Sequence, residues 1–343
     1  MNTSLQDFKN RFFEQMLKLL WSGWSQLGVA GYKARTWDRV IDIEAMILAT
    51  CFWGRYDQRL FDEMLSWLIS NERFINVQRL QTIIKKEAFH EARLLGPICR
   101  KLSRKNHTPK WRGIEKKLEN CIIKAKPEKV FMLSDNRALP ITGKTDDDFA
   151  DFGFLRLPFI DRALTSGFPS RETATLQLQL RAFFGVCSRA EVMLNLILNN
   201  RASINDIAGN SYFSWRSIQE TLFEMSCSGM VSHPPAKRER RYNLVSEAWG
   251  ELFLNKAASP PAAFNWSKFF SAMEILWQKL SDIDFCRLSD QNINLEIASL
   301  VKTRLQSLLM AADESWRIPD PASGSADYFE TFTVFILSQL NRF

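Results

Sequence analysis

The sequence predicts a mostly α-helical fold with one short β-hairpin set near its middle, and three observations carry that prediction. Apolar residues recur at i, i+3, i+4 and i+7 over long stretches between Leu5 and Leu340. Glycine and proline gather in the gaps between those stretches, where a helix has to stop. Two short β-type segments, Met230-Val231-Ser232-His233 and Arg241-Tyr242-Asn243-Leu244-Val245, flank a polar loop as a hairpin does. Hydrophobic residues make up 46% of the 343 positions and are spread along the whole chain, so every part of it has material for a core.

In the first third, Leu5, Phe8, Phe12, Met16 and Leu19 fall on one face of a helix over residues 5–27, which breaks at Gly28 to Gly31. Asp42 is placed to cap a helix over 44–52, and further helices are predicted over 59–70 and 76–86. Residues 1–126 therefore read as a helical N-terminal domain. Residues 100–129, which run across its end, are the most basic part of a chain whose net charge is +7. Those cations suit either a phosphate-binding extension or a solvated helical face, and Trp111 among them is assigned no role.

Prolines 127, 140, 158 and 169, together with the acidic run Asp146-Asp147-Asp148 and Asp151, mark residues 127–169 as an irregular connector with a flexible acidic loop. Helical pattern resumes at Ser170, a candidate cap for residues 171–184, and opens a domain over 170–255. Residues 262–343 form a helical C-terminal subdomain, with helices over 267–280, 295–310 and 328–340. The aromatic helices 5–27 and 267–280 suit either a dimer interface or core packing.

The strongest constellation runs from Val186 to Glu247. Ser188-Arg189-Ala190-Glu191 reads as a capping box for a helix that stops at Asn199-Asn200. Ser203-Ile204-Asn205-Asp206 repeats that signal for a short helix through Ala208, with Gly209-Asn210 as its left-handed stop. Ser214 and Trp215 then open a longer helix with Ile218, Leu222 and Met225 on one face and Arg216, Gln219 and Glu220 on the other. Gly229 ends it, and the hairpin follows around a loop holding Lys237, Arg238 and Arg240.

The order and spacing of these elements resemble the winged helix-turn-helix of MarR- and ArsR-like bacterial regulators. The resemblance rests on Leu222, Met225, Gly229, Met230, Val231 and the return strand Arg241-Tyr242-Asn243-Leu244. It implies a sequence-specific transcriptional regulator whose third helix enters the major groove of double-stranded DNA. By the same resemblance Arg216, Ser217 and Gln219 face base edges; Glu220 is unusual near phosphate, although its carboxylate could accept from a cytosine amino group. Lys237, Arg238, Arg240 and Arg241 would meet phosphate or the minor groove, and a homodimer would read paired half-sites. A winged helix also serves as a protein-docking module, so the alternative is an interaction protein, an antitoxin or defence-system component that holds a partner protein.

Other chemistry finds little in the sequence. Six cysteines lack any C-x-x-C spacing and read as reduced core thiols, and three histidines are too dispersed for a metal. Gly143-Lys144-Thr145 copies the tail of a phosphate-binding loop, but Ala138 stands where the first glycine belongs. The acidic run lacks the spacing of a calcium loop. No cofactor and no catalytic role is expected, and with no apolar run of spanning length and no basic leader the expectation is a cytoplasmic protein off the membrane.

Overall fold

A computed structural model describes residues 3–32, 37–87, 89–119, 126–162, 165, 167–233, 240–246, 248–253, 261–321 and 327–343. The chain opens with α1 (Thr3–Gln26), α2 (Ile43–Trp53), α3 (Gln58–Asn71) and α4 (Val77–Lys86). Each of the last three starts where a short polar side chain takes up an orphan amide: Asp42 accepts from Ala45 N, Asp57 from Leu60 N and Asn76 from Arg79 N. A 3-10 turn, His90–Leu94, leads into α5 (Leu95–Lys105), and α6 (Arg112–Glu119) lies against it.

All residues of α2 are buried, which explains a sequence that is apolar apart from Glu44 and Thr50. Around it one core draws together α1, α3 to α5 and the last part of the chain: α13 (Trp266–Ser281), α14 (Asp290–Leu300), α15 (Gln306–Ala312) and α16 (Tyr328–Leu340). Phe12 meets Trp53 at 5.8 Å and Trp277 at 6.3 Å, while Phe8 meets Phe329 edge-on at 5.7 Å. The helices at the two ends of the chain thus share a single core. The aromatic faces of α1 and α13 are consumed inside it, with Trp24, Trp266, Phe270 and Trp277 all buried, so those faces are not the dimer interface considered above.

The connector is more ordered than its prolines suggest. Strands β1 (Glu128–Lys129) and β2 (Phe154–Leu155) pair in parallel, and Val130, Phe131, Phe149, Phe152 and Phe154 enter the main core. Asp146 caps the short helix α7 (Asp147–Ala150) through Asp148 N at 3.1 Å. The acidic run is held because it faces α5: Lys101 sits 3.0 Å from Asp146 and 2.9 Å from Asp148, and Arg104 also pairs with Asp148.

A second, smaller core is built from residues 176–253 together with Val40 from the body. It comprises α8 (Leu176–Phe184), α9 (Ser188–Asn199), β3 (Ala202–Ser203), α10 (Ile204–Ser211), α11 (Trp215–Cys227), β4 (Val231–Ser232), β5 (Arg241–Leu244) and α12 (Ala248–Phe253). The strands form an antiparallel sheet in the order β3-β5-β4, with Val231 opposite Leu244 and Ala202 opposite Tyr242. Among the described residues no helix is long and apolar enough to cross a membrane.

Candidate functional site

The unit 176–253 sets three helices against its sheet, and local chemistry fixes where each begins. α9 departs from the sequence expectation: Cys187, not Ser188, stands at its N-cap and makes no side-chain cap bond. Ser188 instead shares a 2.7 Å hydrogen bond with the Thr221 hydroxyl on α11, and Glu191 turns inward to Arg181. A buried guanidinium offers a carboxylate a stronger bond than a backbone amide does, and that competition removes the capping box.

For α10 the expected box is present. Ser203 Oγ accepts from Asp206 N at 3.2 Å, and Asp206 Oδ2 accepts from Ser203 N at 2.9 Å. This helix passes Gly209 and Asn210, however, and runs to Ser211, so the left-handed residue is Tyr212 with φ 60° and ψ 20°. A tyrosine tolerates that conformation here because its ring is seated in the main core. Its hydroxyl donates to Glu87 Oε1 at 2.9 Å, and Arg79 and Lys86 lie over the ring at 5.5 and 5.7 Å.

The turn between α10 and α11 is thereby fastened to the helical body, and α11 leaves it capped by Ser214, which accepts from Ser217 N at 3.2 Å. Ile218, Thr221, Leu222 and Met225 bury one side of α11, and Trp215, Arg216, Gln219, Glu220, Phe223 and Glu224 are exposed on the other. Arg216 is paired with Glu220 one turn on, Nε to Oε1 at 2.9 Å, and that bond and charge raise its pKa. Ser217 is half-buried beside the cap, while Gln219 is free in solvent. Gly229 closes the helix with φ 74° and turns the chain into β4. Arg240 and Arg241 are exposed at the start of the return strand, and Lys237 and Arg238 lie outside the described residues.

The basic stretch before the connector is less available than its composition suggests. Arg100 bonds Glu115 at 3.0 Å, Glu119 at 2.8 Å and Asp151 at 2.8 Å, and its guanidinium lies over Phe152. Lys110 Nζ bonds the Glu72 carbonyl at 2.6 Å, and Trp111 is buried in the core. With Lys101 and Arg104 engaged by the acidic run, this part of the stretch serves the body's own packing rather than forming a continuous phosphate-facing surface.

Sequence reading missed the junction between the two cores. Glu44, fully buried on α2, receives Arg181 from α8 at 2.6 and 2.9 Å and Arg79 from α4 at 2.6 Å. Arg181 also bonds Glu191 at 2.6 Å, and Arg79 bonds Asp42 at 2.7 and 2.5 Å and the Ser211 carbonyl at 2.9 Å. Burial pushes the Asp42 carboxyl up, but the Arg79 charge and hydrogen bonds outweigh it and leave the pKa lowered. The available signal was a single charge inside each of two apolar runs, Glu44 and Arg181.

No protein-family profile, curated protein or solved structure matches the chain.

Proposed function

We propose that residues 176–253 are a winged helix-turn-helix and that the protein is a sequence-specific DNA-binding transcriptional regulator. The observation that carries this reading is α11: buried along one side only, fixed at its start by Ser214 and the seated Tyr212, it offers Arg216 and Gln219 on its open side near the N-terminal end. A helix held in that way suits entry into a major groove, where arginine reads guanine and glutamine reads adenine. Arg240 and Arg241, with Lys237 and Arg238 of the loop, would meet backbone phosphate. Two copies related by a two-fold axis would read half-sites about 34 Å apart.

The test is a fluorescence-anisotropy titration of duplexes from the region upstream of the gene, at several salt concentrations. Arg216→Ala is expected to cost roughly 1–3 kcal/mol on the preferred duplex and to relax its preference. Arg240→Ala and Arg241→Ala should weaken all duplexes alike and each lower the salt slope by about one. Absence of binding at low salt would overturn the reading.

A second reading has its own observation. Phe223 is 70% exposed and Trp215 49% on the same open side of α11, and Glu220 and Glu224 counter Arg216 and Arg189 there. Exposed aromatics among paired charges suit a protein-docking surface, as in an antitoxin or defence-system component. Phe223→Ser would abolish capture of such a partner, whereas it should leave DNA affinity within a few fold.

A further inference from the structure

α9 and the helical body do not meet flush. Between them lies a cleft of about 280 Å³, with Glu191, Asn195 and Asn199 of α9 on one wall and Trp266 and Glu314 of the body on the other. Its α9 wall offers acceptors. Asn195, only 5% exposed, gives its side-chain N–H to the Glu191 carbonyl at 2.9 Å, and Asn199 gives its own to the Asn195 carbonyl at 3.0 Å. Each amide thus spends one of its two side-chain N–H bonds within the helix and keeps its oxygen to accept from a ligand. Glu191 Oε2 receives only a long 3.4 Å bond from Gln177. Glu314 lines the cleft and is exposed.

The Arg79 guanidinium at the floor is already engaged, giving its N–H groups to Asp42, Glu44 and the Ser211 carbonyl. Arg39, behind the opposite wall, bonds Asp313 at 2.8 Å through Nη2, and its buried Nη1 has no partner among the described residues. Charge points the same way: Asp42, Glu44, Glu191, Asp313 and Glu314 stand against Arg39, Arg79 and Arg181, an excess of two negative charges. A ligand that donates hydrogen bonds and carries positive charge fits both the acceptors and the field.

We propose that this cleft binds a small organic cation, a primary amine or guanidino compound, held by the side-chain oxygens of Asn195, Asn199, Glu191 and Glu314. One wall belongs to the unit that carries α11 and the other to the body, so an occupied cleft favours their present placement. By linkage, ligand and DNA then alter each other's affinity by the same factor. That consequence rests on the DNA-binding reading, whereas the binding itself does not.

Isothermal titration of the full chain with agmatine and with putrescine tests the site, with acetate and glycerol as anionic and neutral controls. The expected result is one-to-one binding of at least one amine and of neither control. Asn199 and Glu314 are both exposed, so Asn199→Leu and Glu314→Gln should leave the denaturation midpoint in place and weaken the amine roughly tenfold or more. No heat from either amine at millimolar concentration, or affinity unchanged in both variants, would overturn the proposal. A parallel DNA titration separates the two readings: amine binding without DNA binding removes only the regulator reading, and DNA binding without amine binding removes only the cleft.

Discussion

Arg181 and Glu44 face each other at the boundary between the two cores with neither side chain exposed, Nη1 to Oε1 at 2.6 Å and Nη2 to Oε2 at 2.9 Å. Arg181 belongs to the unit that carries α11 and Glu44 to the central helix of the body, so this pair joins the two. Burying ions is costly, and such a pair adds little over a well-packed apolar pair; removing one partner is the damaging change. Glu44→Ala leaves two guanidiniums, Arg181 and Arg79, without their shared carboxylate. A loss of roughly 3–5 kcal/mol is expected in denaturant unfolding, and Glu44→Gln, which keeps an acceptor in place, should lose less.

Stability should also fall between mildly acidic and neutral pH because of Glu274. This α13 carboxyl is fully buried, its Oε1 has no hydrogen-bond partner among the described residues, and Oε2 accepts from His90 N at 3.2 Å. Burial pushes its pKa up to about 7 from 4.5, and the bonds from His90 offset only part of that. A raised folded pKa means the folded state holds the proton more tightly. The contribution is therefore complete below about 4.5 and is lost as pH rises through about 7, a swing of roughly 3 kcal/mol. Glu274→Gln should abolish this part of the pH profile and be the more stable protein at pH above 7; identical profiles would mean that the carboxyl keeps the same pKa on folding.

Tyr212 supplies a third expectation, on the placement of α11. Tyr212→Phe removes the hydroxyl and its bond to Glu87 while keeping the ring, and Glu87 keeps Lys268 at 2.8 Å, so the cost should be about 1 kcal/mol. Tyr212→Asn keeps a residue tolerant of the left-handed conformation but removes the ring from between Arg79, Lys86 and the main core. Its cost should reach roughly 3–5 kcal/mol, the range for emptying a large aromatic site. Comparing the midpoints of the two variants separates ring packing from the hydrogen bond.

Such residues show what the sequence made legible. Helix starts at Asp42, Asn76, Ser203 and Ser214 could be read because a cap is a local event, settled within four residues. The strands β4 and β5 could be read because their partners are joined by one loop, whereas β3 is two residues long and pairs across almost forty positions. Ser188 and Glu191 carried a capping signal that a distant guanidinium overrode, and Tyr212 took a turn position that Gly209 and Asn210 advertised more clearly. The open side of α11 was legible from its period, but not the pairing of Arg189 with Glu224 or the inward turn of Arg100, which depend on neighbouring elements.

The pairing of Arg216 with Glu220 gives the most direct probe of the open side of α11. Both are exposed, 84% and 61%, so the pair adds little to folding and Glu220→Gln should leave the denaturation midpoint in place. Its effect on a duplex should be larger, because the carboxylate repels phosphate and holds the guanidinium to itself. Freed of both, the variant should bind random duplex more tightly, with a steeper dependence on salt. If Glu220 also accepts from a cytosine amino group, the preferred duplex loses that contact while random duplex gains, and the ratio between them falls by a factor corresponding to roughly 1–3 kcal/mol. Anisotropy titrations of both duplexes at two salt concentrations measure each effect separately. A variant indistinguishable from the parent on every duplex would mean that this side of α11 does not approach nucleic acid, and the exposed Phe223 beside it would then be the residue to follow.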